Sequence, residues 1–484
     1  MLDGIEKQNR NKHSASIDDL NRAVEQKRIN TETISDFKDN RTKIIHLKGS
    51  SQKVALTVKK PQKKGILGSL VFAIGLLAVV GLLCLGATNT YPYKALRLVY
   101  LLKNGTYLIG FQNSAELRPT GGFWGSFALW KVNSSVLNTS ILFETNPYKN
   151  DNPLLKTTDV ELPKPMKDSW ANRPQSFVNA NWPFDFEQAA KTIQWYLGKG
   201  WDQQADGVVA VSSLSMIDLL KLTGPIQIEG QQISSENFTQ FMSQKIDTEY
   251  WQDPENVKTN EPKTIVKNLF PIIVEKTKLL PKKDLLHFAL DQSKKGRLLL
   301  YFNDSKKQKL VEQMGLSGKV ISSKCDYISI NNANINGGKS SLNILQSIDY
   351  EVSSDGAGNI AEVTIERKWP TKSWPNVLNS NYTRAIAPLG SKLISASLGQ
   401  DDITDIVDFT EESGRSTFGF WFSVDQEESK TATIRYELPF SQQKNDYSLV
   451  IQKQPGTLPD NLNVTVFGQK IYEGMFDQNS LYLP

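Results

Sequence analysis

The chain has 484 residues, with 56 Lys and Arg against 51 Asp and Glu, a net charge of +5. Its two cysteines, Cys84 and Cys325, are too few for a disulfide-stapled scaffold, so stability has to come from buried area. His287 is the only histidine after residue 46, which excludes a His/Cys zinc site beyond that point and leaves a Ser-His-Asp hydrolase a single candidate base.

The positive charge is concentrated at the start. Residues 1–64 hold 15 Lys and Arg against 8 Asp and Glu, with abundant Asn, Gln and Ser, and read as a mostly disordered cytoplasmic tail. One weak helical pattern, Ile17, Leu20 and Val24, follows a possible Ser16 cap. Gly65–Thr88 then runs 24 residues without a charge, long enough at about 1.5 Å per residue to cross a hydrocarbon core of about 30 Å. It reads as a retained transmembrane anchor, because a cleavable signal peptide would lie nearer residue 1. Lys59, Lys60, Lys63 and Lys64 stand directly before it, which puts the N-terminus in the cytoplasm and the C-terminal part outside. A basic flank of this kind is an ordinary topology signal that meets anionic lipid, so the expected partner is the bilayer and not nucleic acid. Gly65, Ser69 and Ala73, four apart, suggest a weak homodimer contact through the anchor.

Beyond the anchor, a short apolar helix is expected over Tyr93–Leu102, stopped by Asn104-Gly105. Strands follow at Tyr107–Gln112 and Phe123–Lys131, and a further apolar stretch at Val136–Phe143 precedes a Pro-rich piece. Phe186–Leu197 has helical spacing, with Phe186, Ala189, Ala190, Ile193 and Leu197 on one face. Asp206–Val211 reads as a strand covered on both faces. Leu214–Leu222 returns to helical period and stops at Gly224-Pro225. Helices are also expected near Glu236–Ile246, capped by Ser234 or Ser235, and over Lys263–Leu280. This alternation predicts an α/β layered domain over residues 89–338. After Gly338, eight short β-branched or aromatic segments between Leu342 and Phe467 predict a β-sandwich of immunoglobulin-like size over residues 339–484.

The candidate site is the loop between the first two strands, Asn113-Ser-Ala-Glu-Leu-Arg-Pro-Thr-Gly-Gly122. Arg118 offers a planar fork to phosphate or carboxylate, and Gly121 and Gly122 let backbone N–H groups turn toward an anion. The alternative is an ion pair that clips a long loop. Glu116 reads as a partner for Arg118, a metal ligand or a base. Asp185, among Trp182, Phe184 and Phe186, reads either as a general acid raised by burial or as the cap of the helix that starts at Phe186. Lys339 repeats the glycine-plus-cation theme after Gly337-Gly338, where a domain-boundary turn is the other explanation. Trp124, Trp170 and Trp182 flank the loop and could stack on sugar or simply pack.

Phe111 to Phe123, Asn181-Trp182 with Asp185-Phe186, Asp206 to Ala210, Thr223-Gly-Pro225, Glu236-Asn237 and Asn334 to Ser340 resemble the bacterial domain-of-unknown-function family 4012. So do Tyr382-Thr-Arg384, Pro388 to Ser391 and Gln454 to Thr457. The resemblance implies an envelope protein with one anchor and no settled biochemistry, and it adds Asn181 to the ligand-binding set. One departure is Val178-Asn179 where Arg-Asp is expected. A looser similarity of order and spacing extends to the LytR-CpsA-Psr enzymes, which transfer glycopolymers from polyprenyl pyrophosphate with arginines and a magnesium ion. Thr120 stands where those enzymes place an acid, which weakens any Mg²⁺ reading.

Together these features predict a membrane-anchored envelope protein that binds or transfers a phosphate-bearing glycopolymer or its polyprenyl-linked precursor. Glu116, Arg118 and Asp185 are its expected catalytic residues, and Arg118, Gly121, Gly122, Trp124, Asn181 and Lys339 its expected binding residues. The alternative is a non-enzymatic surface scaffold or adhesion protein.

Overall fold

A computed structural model describes residues 100–133, 139–144, 146–158, 160–170, 175–354, 356, 358–441, 443 and 445–484. The expected tail, the anchor Gly65–Thr88 and most of the helix expected at Tyr93 lie outside the described residues. Among the described residues no helix is long and apolar enough to cross a membrane.

The first layer is built on five strands. Strands β1 (Gly105–Asn113), β2 (Phe123–Val132) and β3 (Thr139–Glu144) form an antiparallel meander. Two short helices follow, α1 (Tyr148–Leu154) and α2 (Lys164–Trp170), and then α3 (Phe186–Trp201). Strand β4 (Gly207–Ser212) lies parallel to β1, with Leu108 opposite Val208. Helix α4 (Ser213–Thr223) leaves β4 directly, its first turn capped by the Ser212 hydroxyl, which accepts from the Leu214 N–H at 3.1 Å. A small hairpin, β5 (Ile226–Ile228) and β6 (Gln231–Ile233), leads to α5 (Phe238–Ser243). The chain continues as a π-helix over Gln244–Glu249, and then as α6 (Tyr250–Gln252) and α7 (Pro254–Thr259). Helices α8 (Thr264–Lys278) and α9 (Lys282–Lys294) form a hairpin before β7 (Leu298–Phe302) returns antiparallel to β4. The sheet order is therefore β3-β2-β1-β4-β7, and α10 (Ser305–Gln313) closes the layer.

Side-chain alternation divides the core of this layer. Leu108, Val208 and Ala210 face α3, whose buried stripe Phe186, Ala189, Ala190, Ile193 and Leu197 is the one its spacing predicts. Tyr107, Ile109 and Val209 face the other side, where Leu101, Leu102, Phe270 and Leu290 pack. Burying side chains of this size contributes about 1.5–3 kcal/mol each, so both faces of β4 must be covered for its apolar run to be stable.

The second layer differs from expectation in start and size. Strand β8 (Asp326–Asn334) already belongs to it, ahead of the boundary expected at 338. With β9 (Leu345–Ser354), β10 (Asn359–Lys368), β11 (Asn381–Pro388), β12 (Lys392–Leu398), β13 (Asp401–Asp402), β14 (Asp408–Glu412), β15 (Arg415–Trp421), β16 (Ser429–Glu437), β17 (Leu449–Gln452), β18 (Asp460–Val466), β19 (Gln469–Phe476) and β20 (Ser480–Leu483), it forms two sheets. These have seven and six strands, more than an immunoglobulin domain, in the orders β13-β12-β16-β10-β9-β18-β19 and β14-β15-β11-β8-β17-β20. Val363, Ile365 and Tyr436 from one sheet meet Ile330, Ala385 and Phe418 from the other in one core. The outer face of the six-stranded sheet is not solvated: Tyr327 packs with Phe184, and Ala333 with Leu162 and Met166, so the sandwich seals directly onto the first layer.

Candidate functional site

The β1–β2 loop sits at that seal, and its chemistry is consumed there. Arg118 is only 4% exposed. Its Nε donates to Asn179 Oδ1 at 3.3 Å, and Nη1 donates to Leu117 O at 3.1 Å and to Asn334 O. The guanidinium carbon lies 5.3 Å from the centre of the Phe123 ring. Burial pulls the Arg118 pKa down, opposed by the charge of Glu116. The sandwich grips the same loop from the other side: Gln454 Nε2 donates to Arg118 O at 3.1 Å, and Asn331 Nδ2 donates to Pro119 O at 3.0 Å. Bracing of the seal by Nε and Nη1, the alternative to the expected catalytic and ligand-binding role, thus accounts for the buried contacts of Arg118.

The two glycines answer to packing. Gly121 has φ +124°, and a Cβ there would lie 2.6 Å from Gln112 Oε1; at Gly122, with φ +155°, it would lie 2.5 Å from Asn113 O. The Gly121 N–H is already used, donating to Arg118 O at 2.8 Å. Asn181 is fully buried, its amide donating to Gly122 O at 2.8 Å and to Thr120 Oγ1 at 3.1 Å. Trp124 is fully buried on the α3 side of the sheet, where a Cβ at Gly110 would collide with its ring. Trp182 lies under the Arg384 guanidinium at 4.9 Å, and Trp170 Nε1 donates to Asn336 Oδ1 at 2.7 Å.

Asp185 is the helix cap. Its Oδ1 accepts from the N–H groups of Glu187 at 2.9 Å and Gln188 at 3.2 Å, and its Oδ2 from Val320 N–H at 3.0 Å. Burial raises its pKa and those three backbone donors lower it. With both oxygens engaged in the fold, Asp185 is corrected from catalytic acid to structural cap.

Open space lies on the other side of β1. A cavity of about 460 Å³ runs between α4, α5, α8 and α9, and reaches the carboxyl ends of β1 at Asn113 and β4 at Ser212. Its walls are mostly apolar: Met216 and Leu219 from α4, Met242 from α5, Leu269 and Ile273 from α8, Phe288 from α9. One end is charged. Glu116, Asp247, Lys263, Lys339 and Tyr148 line it, so of the expected site residues only Glu116 and Lys339 border the cavity.

At that end Lys339 Nζ contacts Asp247 Oδ2 and lies 3.6 Å from Glu116 Oε1. Glu116 thus pairs with Lys339, while its charge also acts on Arg118, the partner expected for it. The Ser243 hydroxyl holds Asp247 from behind, donating to Oδ2 at 2.5 Å. Asp247 rides on the π-helix, whose widened turn points it and Ile246 at the cavity. Lys263, just ahead of α8, donates to Gly125 O and places its ammonium 5.6 Å from the Phe123 ring and 5.8 Å from Tyr148. Burial pushes its pKa down to about 8, with Glu116 pulling the other way. Burial, and then the charge of Glu116, raise the Tyr148 hydroxyl well above its ordinary value.

The arrangement suits an amphiphile: an apolar trough for a chain and two ammonium groups for an anionic head. Among the described residues no group of three or more His, Cys, Asp or Glu side chains is placed to hold a metal.

Residues 103–246 match the family described as "Protein of unknown function (DUF4012)". The match covers about 30% of the chain. It runs from the start of β1 into the π-helix and supplies Glu116 and Tyr148, whereas Lys263 and Lys339 lie beyond it. No curated protein matches the chain. Among solved structures, Legionella pneumophila aminopeptidase A in complex with aspartic acid aligns at 8% identity over 26% of this chain and 16% of its own, with a TM-score of 0.17. The chain thus spans a small part of that structure's length, and the likeness carries no argument about fold or function.

The sequence signals missed Lys263, Asp247 and Tyr148. Lys263 stands at the foot of a recognisable amphipathic helix, but nothing local separates it from the lysines that follow on α8. The apolar stripe of α8 reads equally as core, and only the tertiary arrangement leaves part of it facing a cavity.

Proposed function

We propose that this is a membrane-anchored extracytoplasmic envelope protein that binds a lipid-linked, phosphate-bearing glycopolymer precursor, its apolar chain in the α4–α8 trough and its phosphate at Lys263 and Lys339. The observation that carries the reading is the pairing of an apolar cavity with two lysine ammonium groups at one end. Its position supports the reading too, since β1 and β4 are parallel neighbours and ligands of α/β sheets gather at the carboxyl ends of parallel strands. The anchor at Gly65–Thr88 and the envelope location come from the sequence alone. The likeness to the LytR-CpsA-Psr enzymes is one of order and spacing. Binding is preferred to transfer because the expected catalytic residues Arg118 and Asp185 are both held by the fold.

The test is a calorimetric titration of the full-length protein in nanodiscs with farnesyl phosphate, a soluble prenyl phosphate. Saturable binding that is lost in Lys263→Ala and in the cavity-filling Met216→Trp is the expected result. Equal heats for all three proteins would overturn the reading. The scaffold alternative draws on exposed apolar side chains of the sandwich, Ile406 at 73% and Phe409 at 52%, and it would gain from that negative outcome.

A further inference from the structure

We propose that the tip of the α8–α9 hairpin is a membrane-docking lip, seated on an anionic leaflet, through which an apolar chain passes between bilayer and cavity. The inference rests on the amphiphile reading of the cavity and says from which side the ligand enters.

The cavity wall on α8 is made by Lys263, Val266, Leu269, Phe270, Ile273 and Thr277. These positions recur about every three to four residues, so one face of the helix is used along its length, about 21 Å from Lys263 to Thr277. The cationic groups stand at the Lys263 end. At the other end the lining stops at Thr277, two residues before Leu279, which at 82% is the most exposed large apolar side chain among the described residues. Leu222, 38% exposed, ends the neighbouring α4, and Lys276 Nζ ties the two helix ends together by donating to Pro225 O at 2.7 Å. An exposed leucine pair at the end of an apolar trough has little reason to face water.

The surroundings fit an anionic surface. Residues 275–284 contain Lys276, Lys278, Lys282 and Lys283 against Glu275 and Asp284, and Lys221 lies beside Leu222. Among the described residues two of these lysines have acidic partners, Lys278 with Glu275 at 2.6 Å and Lys221 with Asp218 at 3.0 Å, and Asp218 is shared with Arg297. The tip keeps a net positive charge around a small apolar centre, the pattern of a segment that rests in the headgroup region.

The chain also limits the distance of the fold from the uncharged run. Eleven residues separate the uncharged run Gly65–Thr88 from Tyr100, a reach of at most about 40 Å. Leu101 and Leu102 then pack on the same face of the five-stranded sheet as Phe270 of α8 and Leu290 of α9. Leu101 and Leu102 thus lie beside the amino end of β1, on the sheet face against which α8 and α9 pack. A chain entering at Leu279 would lead to a head held about 21 Å further along α8, clear of the leaflet, while its hydrocarbon stayed in an apolar path.

The experiment uses the full-length protein with Cys84→Ser and Cys325→Ser, reconstituted in vesicles containing phosphatidylglycerol. A polarity-sensitive dye is placed at Leu279→Cys or, as reference, at Leu345→Cys, which is 53% exposed on the sandwich. Quencher-bearing lipids should quench the dye at 279 at least about twofold more than at 345, and Lys278→Glu with Lys283→Glu should abolish the difference. Equal quenching at the two positions overturns the lip. Farnesyl phosphate binding is read on the same samples: binding without preferential quenching at 279 sinks the lip and leaves the cavity reading standing. Quenching without binding removes the cavity reading, and the lip's role as an entry with it.

Discussion

Arg118 and Lys263 share a ring. Both place a cation within 6 Å of Phe123, Arg118 at 5.3 Å and Lys263 at 5.6 Å, and burial lowers the pKa of each. Around Arg118, Nε and Nη1 are taken by fixed acceptors, Asn179 Oδ1, Leu117 O and Asn334 O. Around Lys263 the hydrogen bond found among the described residues goes to Gly125 O, and the residue borders the cavity. A desolvated cation is therefore no sign of a site by itself. What separates brace from binder is whether the unused N–H groups face protein carbonyls or space.

The largest expected effect tests the brace. Arg118→Ala leaves buried acceptors without a donor and opens a void at the seal between the layers, which should lower unfolding free energy by about 3 kcal/mol. Chemical denaturation of the full-length protein checks it. A variant as stable as the parent would place Arg118 back among the functional candidates.

The next effect tests the binder. Lys263→Ala should weaken farnesyl phosphate binding about tenfold or more, while unfolding free energy moves by less than about 1 kcal/mol, because burial already opposes the charge that is removed. Loss of the fold in this variant would make Lys263 a second Arg118 and dissolve the contrast.

How much of this was legible beforehand follows from the range of the interactions. Strands β1, β2 and β4 and helix α3 are local patterns of period 2 and 3.6, and their residues alone imply them. Strand β8 was hidden because Asn331, Asn332 and Asn334 interrupt its apolar alternation. All three are buried, and Asn331 and Asn334 accept or donate across the seal to the β1–β2 loop. The loop stands out in the sequence by residues whose role is long-range packing. Its arginine meets Asn334 and Gln454, more than 200 and 300 positions away, and Gly121 lies against Gln112 and Pro455, which no local rule reveals. Lys263 was invisible for the same cause, since its depth depends on how the start of α8 settles against Phe123.

A pH titration sharpens the contrast further. A lysine lowered to about 8 is charged at pH 7 and mostly neutral at pH 9, so affinity for a phosphate should fall as pH rises through that window, by up to about tenfold. Lys263→Arg, whose guanidinium stays charged, should flatten the profile if it binds. A flat profile in the parent would assign the anion to Lys339 alone.

The smallest effect concerns the carboxylate already in the anion's place. Asp247 Oδ2 contacts Lys339 Nζ, and Glu116 stands 3.6 Å from the same ammonium, so the charged end of the cavity is balanced before any ligand arrives. An incoming phosphate must displace Asp247, which is free to leave because its side chain is 43% exposed and its π-helix has no buried residue anchoring it. Removing that charge while keeping the shape, as in Asp247→Asn, should raise affinity for farnesyl phosphate about fivefold, the scale of one partly screened ion pair. Arg118 provides the opposite control. Among the described residues its hydrogen-bond acceptors are carbonyl and amide oxygens, with the Glu116 charge acting at longer range, so Asn179→Ala beside it should leave affinity unchanged. If Asp247→Asn instead weakens binding, Asp247 positions Lys339 for the ligand, and the two ends of the Phe123 ring are both scaffolding in the same sense.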